Sequence, residues 1–444
     1  MNDRTGFGLG AAVALIMGSI IGVGIFNLPT SLAAFGPISL VSMALTTVGA
    51  LALALLFAAL SRRMPADGGP YAYARAAFGD GVGFLNAWSY WITAWAGNAA
   101  IAVGWVLYVE VFVNTGHHRF FSVLLVLLGL WLPALVNLSG VRTMKAVQVW
   151  TTALKFAALA FMATVGLFFV EPANLTPWNV SGESTVTAIG GGMAIALFSY
   201  LGVEVASVAA AKVRDPDRNI GRATVLGTLA TAVVYLLSLT AVFGIVPTAE
   251  LADSTAPYAD AVDAMVGGTW AGAAMSVVVI VSGLGALNAW TMICAEMPLA
   301  AARDGLFPQR FATLSRRGVP AYGVVSSTVL ASVAVLVNYL GSGGTTVFTT
   351  LVLMTGITAA IPYGFSAVAQ LARLRSASGP RVVRDTVVAV VSLVFAVLFV
   401  WYSRNTGQRP LVYWAPFLMA GAALLLGVPV YRAQRRRSAV TGRG

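Results

Sequence analysis

Long apolar stretches alternate with short polar ones along nearly the whole chain. Twelve stretches are read as spans, approximately 7–36, 39–60, 82–113, 121–138, 146–170, 186–210, 223–246, 270–302, 320–340, 346–372, 386–402 and 411–431. Each matches or exceeds the roughly 17–25 residues that carry a helix across hydrocarbon. The longest polar connections read "SRRMPADGGPYAYARAAFGDG", "EPANLTPWNVSGES", "PTAELADSTAPYADAVDAM" and "ARDGLFPQRFATLSRRGVP". None is long enough for a soluble domain. The pattern predicts an all-α polytopic membrane protein whose core is the helix bundle itself.

Charge adds direction to this picture. Only 10% of the residues are charged and 58% are apolar, where soluble domains carry about 25% charged residues. Of the 27 Lys and Arg residues, 23 fall on the side that holds the N-terminus. Three (Arg119, Arg404 and Arg409) fall on the other, and Lys155 lies within the fifth span. That asymmetry is the positive-inside pattern. It predicts an even number of spans in the cytoplasmic membrane, with both termini cytoplasmic. The net charge of +11 is thereby assigned to topology and the lipid surface, not to a nucleic-acid groove. The single cysteine, Cys294, allows no disulfide within the chain, and His117 and His118 are the only histidines. No metal-ligand cluster can be assembled from this inventory, and no cofactor is called for. The first apolar run is too long for a cleavable signal.

Within the first span, "GSIIGVGIFNLP" places Gly22 and Gly24 around Val23, with Pro29 close behind. Unwound backbone survives at membrane depth only where protein or a watery cavity satisfies it. The sixth span, "IGGGMAIALFSYLGVEVASVAAAKV", carries Ser199, Tyr200, Gly202 and a mid-span carboxylate, Glu204. Matching interruptions in two halves of a chain mark transporter binding sites. The spacing suggests one repeat over about 7–170 and a second over about 186–372. Together they form a transport core (1–372), followed by two further helices (386–431) and a basic tail (432–444). A broken helix offers free N–H groups to a carboxylate and free C=O groups to an ammonium. An amino acid's head group has both. The alternative is that the glycines only allow close helix packing.

"GSIIGVGIFNLP", "GGPYAYARAAFG", "FSYLGVEVASVAAAKVRDPDRNIGRAT" and "ARDGLFPQRFA" resemble the amino acid–polyamine–organocation superfamily. They look most like its bacterial basic amino acid/polyamine antiporters, the arginine/agmatine and lysine/cadaverine exchangers. The resemblance runs over nearly the whole chain. It implies a LeuT-like fold, an inverted five-plus-five repeat plus two helices with the first and sixth spans discontinuous. It implies exchange of amino acids or amines, and a homodimer as in many members.

Carried over residue by residue, the resemblance places Gly22, Val23 and Gly24 at the carboxylate-binding break. Val23 stands where the arginine exchanger has a serine, and Ser19 replaces an asparagine. Phe198, beside Ser199 and before Gly202, takes the place of a gating tryptophan. Trp290 matches a tryptophan that stacks on guanidinium. Asn98 and Thr355 match polar contacts to the substrate's far end, and Tyr90 is in register with a family tyrosine. Intramembrane acids usually mark function, and the resemblance ties Glu204 to proton sensing. Lys155 departs from the arginine exchanger. Neutral amino acid exchangers of the superfamily have a lysine there, which stands in for sodium. Lys155 is therefore expected to bridge spans one, five and eight, and to titrate or act as a fixed cation. Against these readings stand plain ones: a bracing Glu204, a structural Lys155 ion pair, and aromatics, Tyr90 above all, that merely pack.

Val23, Phe198 and Lys155 leave room for a neutral substrate and proton symport or export. Asn98, Trp290 and Glu204 favour a cationic one. A membrane-embedded enzyme would need a nucleophile–base pair, metal cluster or carboxylate dyad, and the sequence offers none. A channel would need pore-lining rings. An amino acid sensor on the same fold would lack a signalling domain.

Overall fold

In the computed structural model, residues 9–64, 69–204, 216–375, 379, 381–404 and 410–440 are described. The chain starts with α1 (Leu9–Ile20), α2 (Gly24–Ala33) and α3 (Ser39–Arg63). It continues through α4 (Pro70–Phe78), α5 (Asp80–Val113), α6 (Arg119–Ser139), α7 (Val141–Thr164) and α8 (Thr185–Ala196). The second half holds α9 (Pro216–Ile245), α10 (Thr248–Asp253), α11 (Pro257–Val266), α12 (Trp270–Arg303) and α13 (Ala321–Tyr339). It ends with α14 (Gly344–Leu374), α15 (Arg381–Tyr402), α16 (Pro410–Leu425) and α17 (Gly427–Val440). There is no strand among the described residues.

Ten of these helical stretches are long and apolar enough to cross a membrane, or eleven if α1 and α2 count as one bent span. The expected sixth span, 186–210, begins as α8 and the 3-10 turn Leu197–Tyr200. Leu201–Glu204 follow as turn, and residues 205–210 lie outside the described residues, as do Lys212, Arg214 and Asp215 of the following loop.

Two faces of the bundle explain the apolar pattern. On α6, Leu124, Leu128, Leu132 and Leu135 are all exposed, and their spacing puts them on one helix face. Val383, Val387, Val390, Val394 and Val397 repeat this on α15. Such stripes suit acyl chains, because a backbone in hydrocarbon must satisfy itself as helix. At the centre, 78% of the apolar stretch of α5, and the same share of α14, is buried, against 17% of the last span. Helices α3, α5 and α14 are therefore the innermost of these spans, and α16 lies at the edge.

Two connections that read as polar loops contain buried helix. Pro70 opens α4 at its N-terminus, where its missing N–H costs nothing, and Tyr71 and Tyr73 are buried there. Pro257 does the same for α11, whose Tyr258 is fully buried. The basic tail is helical as far as Val440, and Gln434 Nε2 donates to the Phe307 carbonyl (2.7 Å).

Candidate functional site

Helix α1 stops at Ile20 and α2 starts at Gly24, with their axes 44° apart. The ends of α1 that lose their helical partners are met by side chains. Lys155 of α7 donates from Nζ to the Gly18 carbonyl (3.0 Å) and to that of Ile21. Tyr235 of α9 donates to the Ile20 carbonyl (3.3 Å). A cation at a helix C-terminus also complements the macrodipole. Lys155 is 2% exposed, and among the described residues no carboxylate pairs with it. It thus joins the first and fifth spans; no hydrogen bond to α12, the eighth, is found among the described residues.

The end of helical structure after Tyr200 lies against the gap between α1 and α2. After Tyr200 the backbone turns extended at Leu201, and Gly202 follows with φ +107°. A Cβ on Gly202 would stand 2.8 Å from the Ser19 carbonyl oxygen, so both conformation and space require glycine. Ser19 Oγ donates to the carbonyls of Ile16 (2.8 Å) and Gly202 (3.4 Å).

Between the interruptions lies a cavity of ≈ 10 Å³, room for about one water. It is lined by Gly22, Gly24, Ile25, Phe198, Ser199 and Trp290, among others. The N-terminus of α2 faces it without a side-chain cap. Phe198 lies across the site: a Cβ on Gly24 would come within 2.6 Å of its ring. That ring meets Phe348 edge-on at 6.0 Å. Beyond it, Ser31 Oγ and Thr349 Oγ1 share a hydrogen bond (2.8 Å), and Thr30 Oγ1 donates to the Ser254 carbonyl (2.9 Å).

Not every expected residue faces the cavity. Val23 is buried with a methyl 2.8 Å from where a Cβ on Gly283 would sit, so its side chain packs on α12 while its backbone lies in the gap between α1 and α2. Asn98 Nδ2 donates to Thr291 Oγ1 (3.1 Å), beside Trp290, which leaves Asn98 Oδ1 buried without a partner among the described residues. Thr355 Cγ2 lies 3.5 Å from where a Cβ on the cavity residue Gly97 would sit.

Glu204 is fully buried. Its Oε1 accepts from the Tyr90 hydroxyl (2.7 Å), and its Oε2 accepts from the Tyr363 hydroxyl (2.8 Å) and the Gly202 N–H (3.2 Å). An ionised carboxylate takes all three donors. A protonated one must turn its O–H onto a neighbouring oxygen. Tyr90 therefore sits on Glu204, not on the cavity wall.

Sequence reasoning missed Tyr363, Tyr235, Asn27 and Tyr108. Asn27 Nδ2 donates to the Gly104 carbonyl (3.2 Å) and Tyr108 to the Phe26 carbonyl (2.7 Å), which ties α2 to α5. Their common signal was a hydrogen-bonding side chain in an apolar helix, where such groups need partners.

The amino acid permease family model matches residues 7–425. The chain belongs to the amino acid permease family. Among curated relatives, an arginine/ornithine antiporter of Pseudomonas aeruginosa is 30% identical, over 95% of this chain and 92% of its own length. The putrescine transporter PotE of Haemophilus influenzae is 29% identical, over 90% of this chain and 91% of its own. A cadaverine/lysine antiporter of Escherichia coli is 28% identical, over 83% and 84%. Membership in the amino acid permease family fits a LeuT-like fold, and the many apolar helices make the chain a multi-pass membrane transporter.

Proposed function

We propose that this protein exchanges an amino acid for another amino acid or its amine by alternating access. The observation that carries the reading is the cavity between the two interrupted helices, edged by Gly22, Gly24 and Ser199. The uncapped start of α2 would receive the substrate's carboxylate. The names of the relatives favour a basic amino acid or polyamine. The buried, unpartnered Asn98 Oδ1 beside Trp290 agrees with that: it offers an acceptor to a cationic side chain, and the indole offers a cation–π face.

Side chains flank the cavity on both sides. Phe198 and the Ser31–Thr349 link shut one path, and the Tyr90–Glu204–Tyr363 cluster stands on the other. Substrate entry therefore requires one of these closures to open. Glu204 exchanges a proton as its tyrosine contacts part, and Lys155 holds the free carbonyls of α1 in place of a bound sodium ion. The basic side faces the cytoplasm, both termini included, and the chain resides in the inner membrane as a homodimer. Two five-span repeats form the core (1–372), with the helices of 386–431 and the basic tail 432–444 outside it.

Solute counterflow in proteoliposomes tests the reading. Vesicles preloaded with arginine, ornithine, lysine or putrescine are expected to accelerate uptake of a labelled partner from that panel. Uptake that needs an imposed proton gradient and ignores the internal solute would favour symport. No uptake of any amino acid or amine would overturn the proposal.

A further inference from the structure

Three buried polar side chains on the basic side of Glu204 lack partners that the fold should have given them. Asn86 lies on α5, and Ser366 and Gln370 lie on α14; they are 0%, 0% and 1% exposed. Asn86 Nδ2 donates to the Val82 carbonyl (2.9 Å), but Asn86 Oδ1, Ser366 Oγ and both polar atoms of Gln370 make no hydrogen bond among the described residues. Buried polar groups are almost always satisfied, by protein or by ordered water. Three such residues in one region therefore call for a shared explanation.

Their register supplies it. Asn86 precedes Tyr90 by four residues on α5. Ser366 and Gln370 follow Tyr363 by three and seven on α14. Spacings of three, four and seven keep side chains on one helix face. Both rows thus descend from the two tyrosines that hold Glu204. They run toward the ends of α5 and α14 that carry Asp80 and Arg373. At 1.5 Å per residue, Gln370 stands about 6 Å short of the end of its helix.

We propose that Asn86, Ser366 and Gln370 line a hydrated track through which Glu204 exchanges its proton with the basic side. This rests on the reading of Glu204 as a proton-exchanging group. A buried water needs two to four polar partners, and these four atoms supply acceptors and donors in sequence. The Glu204 carboxyl gives its proton to the first water, leaving a carboxylate on the tyrosine hydroxyls. The excess proton passes along the hydrogen-bonded waters to the surface, and the reverse path reprotonates it. Among the described residues, the titratable groups facing Glu204 include Tyr90 and Tyr363, with Cys294 near the Tyr90 hydroxyl. At the mouth stand Tyr73 and the Tyr71–Asp304–Arg75–Asp80 group.

Full-length protein in proteoliposomes with a pH indicator tests the track. Substrate-triggered proton exchange is expected to slow by about tenfold in Gln370→Leu with Ser366→Ala, the size of one lost buried hydrogen-bonded link. Gln370→Asn is expected to recover most of that rate. If Glu204→Gln abolishes proton exchange while the double variant keeps wild-type speed, the track is overturned and the role of Glu204 stands. If Glu204→Gln leaves proton exchange intact, the underlying reading fails instead. Should the apolar variants not fold, single cysteines replace them in a Cys294→Ser background. Ser366→Cys and Gln370→Cys are expected to react with a charged, membrane-impermeant methanethiosulfonate from the basic side. Absence of reaction from that side overturns the track.

Discussion

At Gly202 a single missing carbon decides whether the two interruptions can meet. Its φ of +107° and the Ser19 carbonyl 2.8 Å from a would-be Cβ both exclude a side chain. Gly202→Ala is therefore expected to destabilise the fold by ~1–3 kcal/mol, read as a lowered unfolding temperature in detergent. An unshifted transition would show that the backbone there relaxes freely. Lys155 acts through its charge and reach. Lys155→Met removes the partner of two carbonyls at the end of α1, and each unmet group costs ~1–3 kcal/mol. Slower counterflow is expected; wild-type rates would reduce Lys155 to packing. The sequence made both residues conspicuous, since a lysine and a glycine in apolar helices contradict their surroundings. It did not reveal Tyr235 or Tyr363. A tyrosine in a membrane helix has many uses, and only the folded contact with the Ile20 carbonyl or with Glu204 selects one.

At the scale of elements, the interruptions matter as a pair. Helix α2 carries Gly24 under the Phe198 ring, which belongs to the turn after α8. A methyl at Gly24 would force that ring aside. Gly24→Ala is expected to raise KM in transport, and Phe198→Leu in the same chain to recover part of the loss. A coupling of ~0.5–3 kcal/mol between contacting residues is usual; simple additivity in this double-mutant cycle would deny the contact. The end of α1 ahead of Gly22 was legible because Gly22, Gly24 and Pro29 are all poor helix formers. The helices α4 and α11 were not, because their sequences mix tyrosine, alanine and charge within connections that read as polar. What fixes them is burial of Tyr71, Tyr73 and Tyr258 against distant spans, information that a local pattern does not hold. The side-chain direction of Val23 was equally out of reach, since a break leaves no periodicity from which to read a face.

For the whole molecule, a cavity of ≈ 10 Å³ is too small for an amino acid, so the bundle must rearrange for a substrate to enter and leave. The Ser31–Thr349 hydrogen bond (2.8 Å) joins α2 to α14 on the side away from most of the arginines. Locking it should stop the cycle. In Ser31→Cys with Thr349→Cys, oxidation is expected to arrest counterflow by about tenfold or more and reduction to restore it, provided the crosslink meets disulfide geometry. Cys294 is fully buried and does not compete. Transport that continues through a complete crosslink would move the gate elsewhere. The sidedness that the charge asymmetry predicts is checked by tags at both termini, which should be shielded in intact cells.

The account stands on peptide groups beside the cavity receiving both ends of a substrate's head group: the uncapped N–H groups at the start of α2 take the carboxylate, and carbonyls other than those of Gly18, Ile20 and Ile21, which Lys155 and Tyr235 already hold, take the ammonium. Competition in counterflow tests this most directly, with an accepted amino acid set against its own Nα-acetyl derivative. The acetyl group removes the ammonium and leaves the side chain intact. The free amino acid should inhibit uptake at least about a hundredfold better than the blocked one, a difference of ~3 kcal/mol that a charge-assisted hydrogen bond supplies. Equal inhibition by the two would mean that the site reads only the side chain, and would contradict the account.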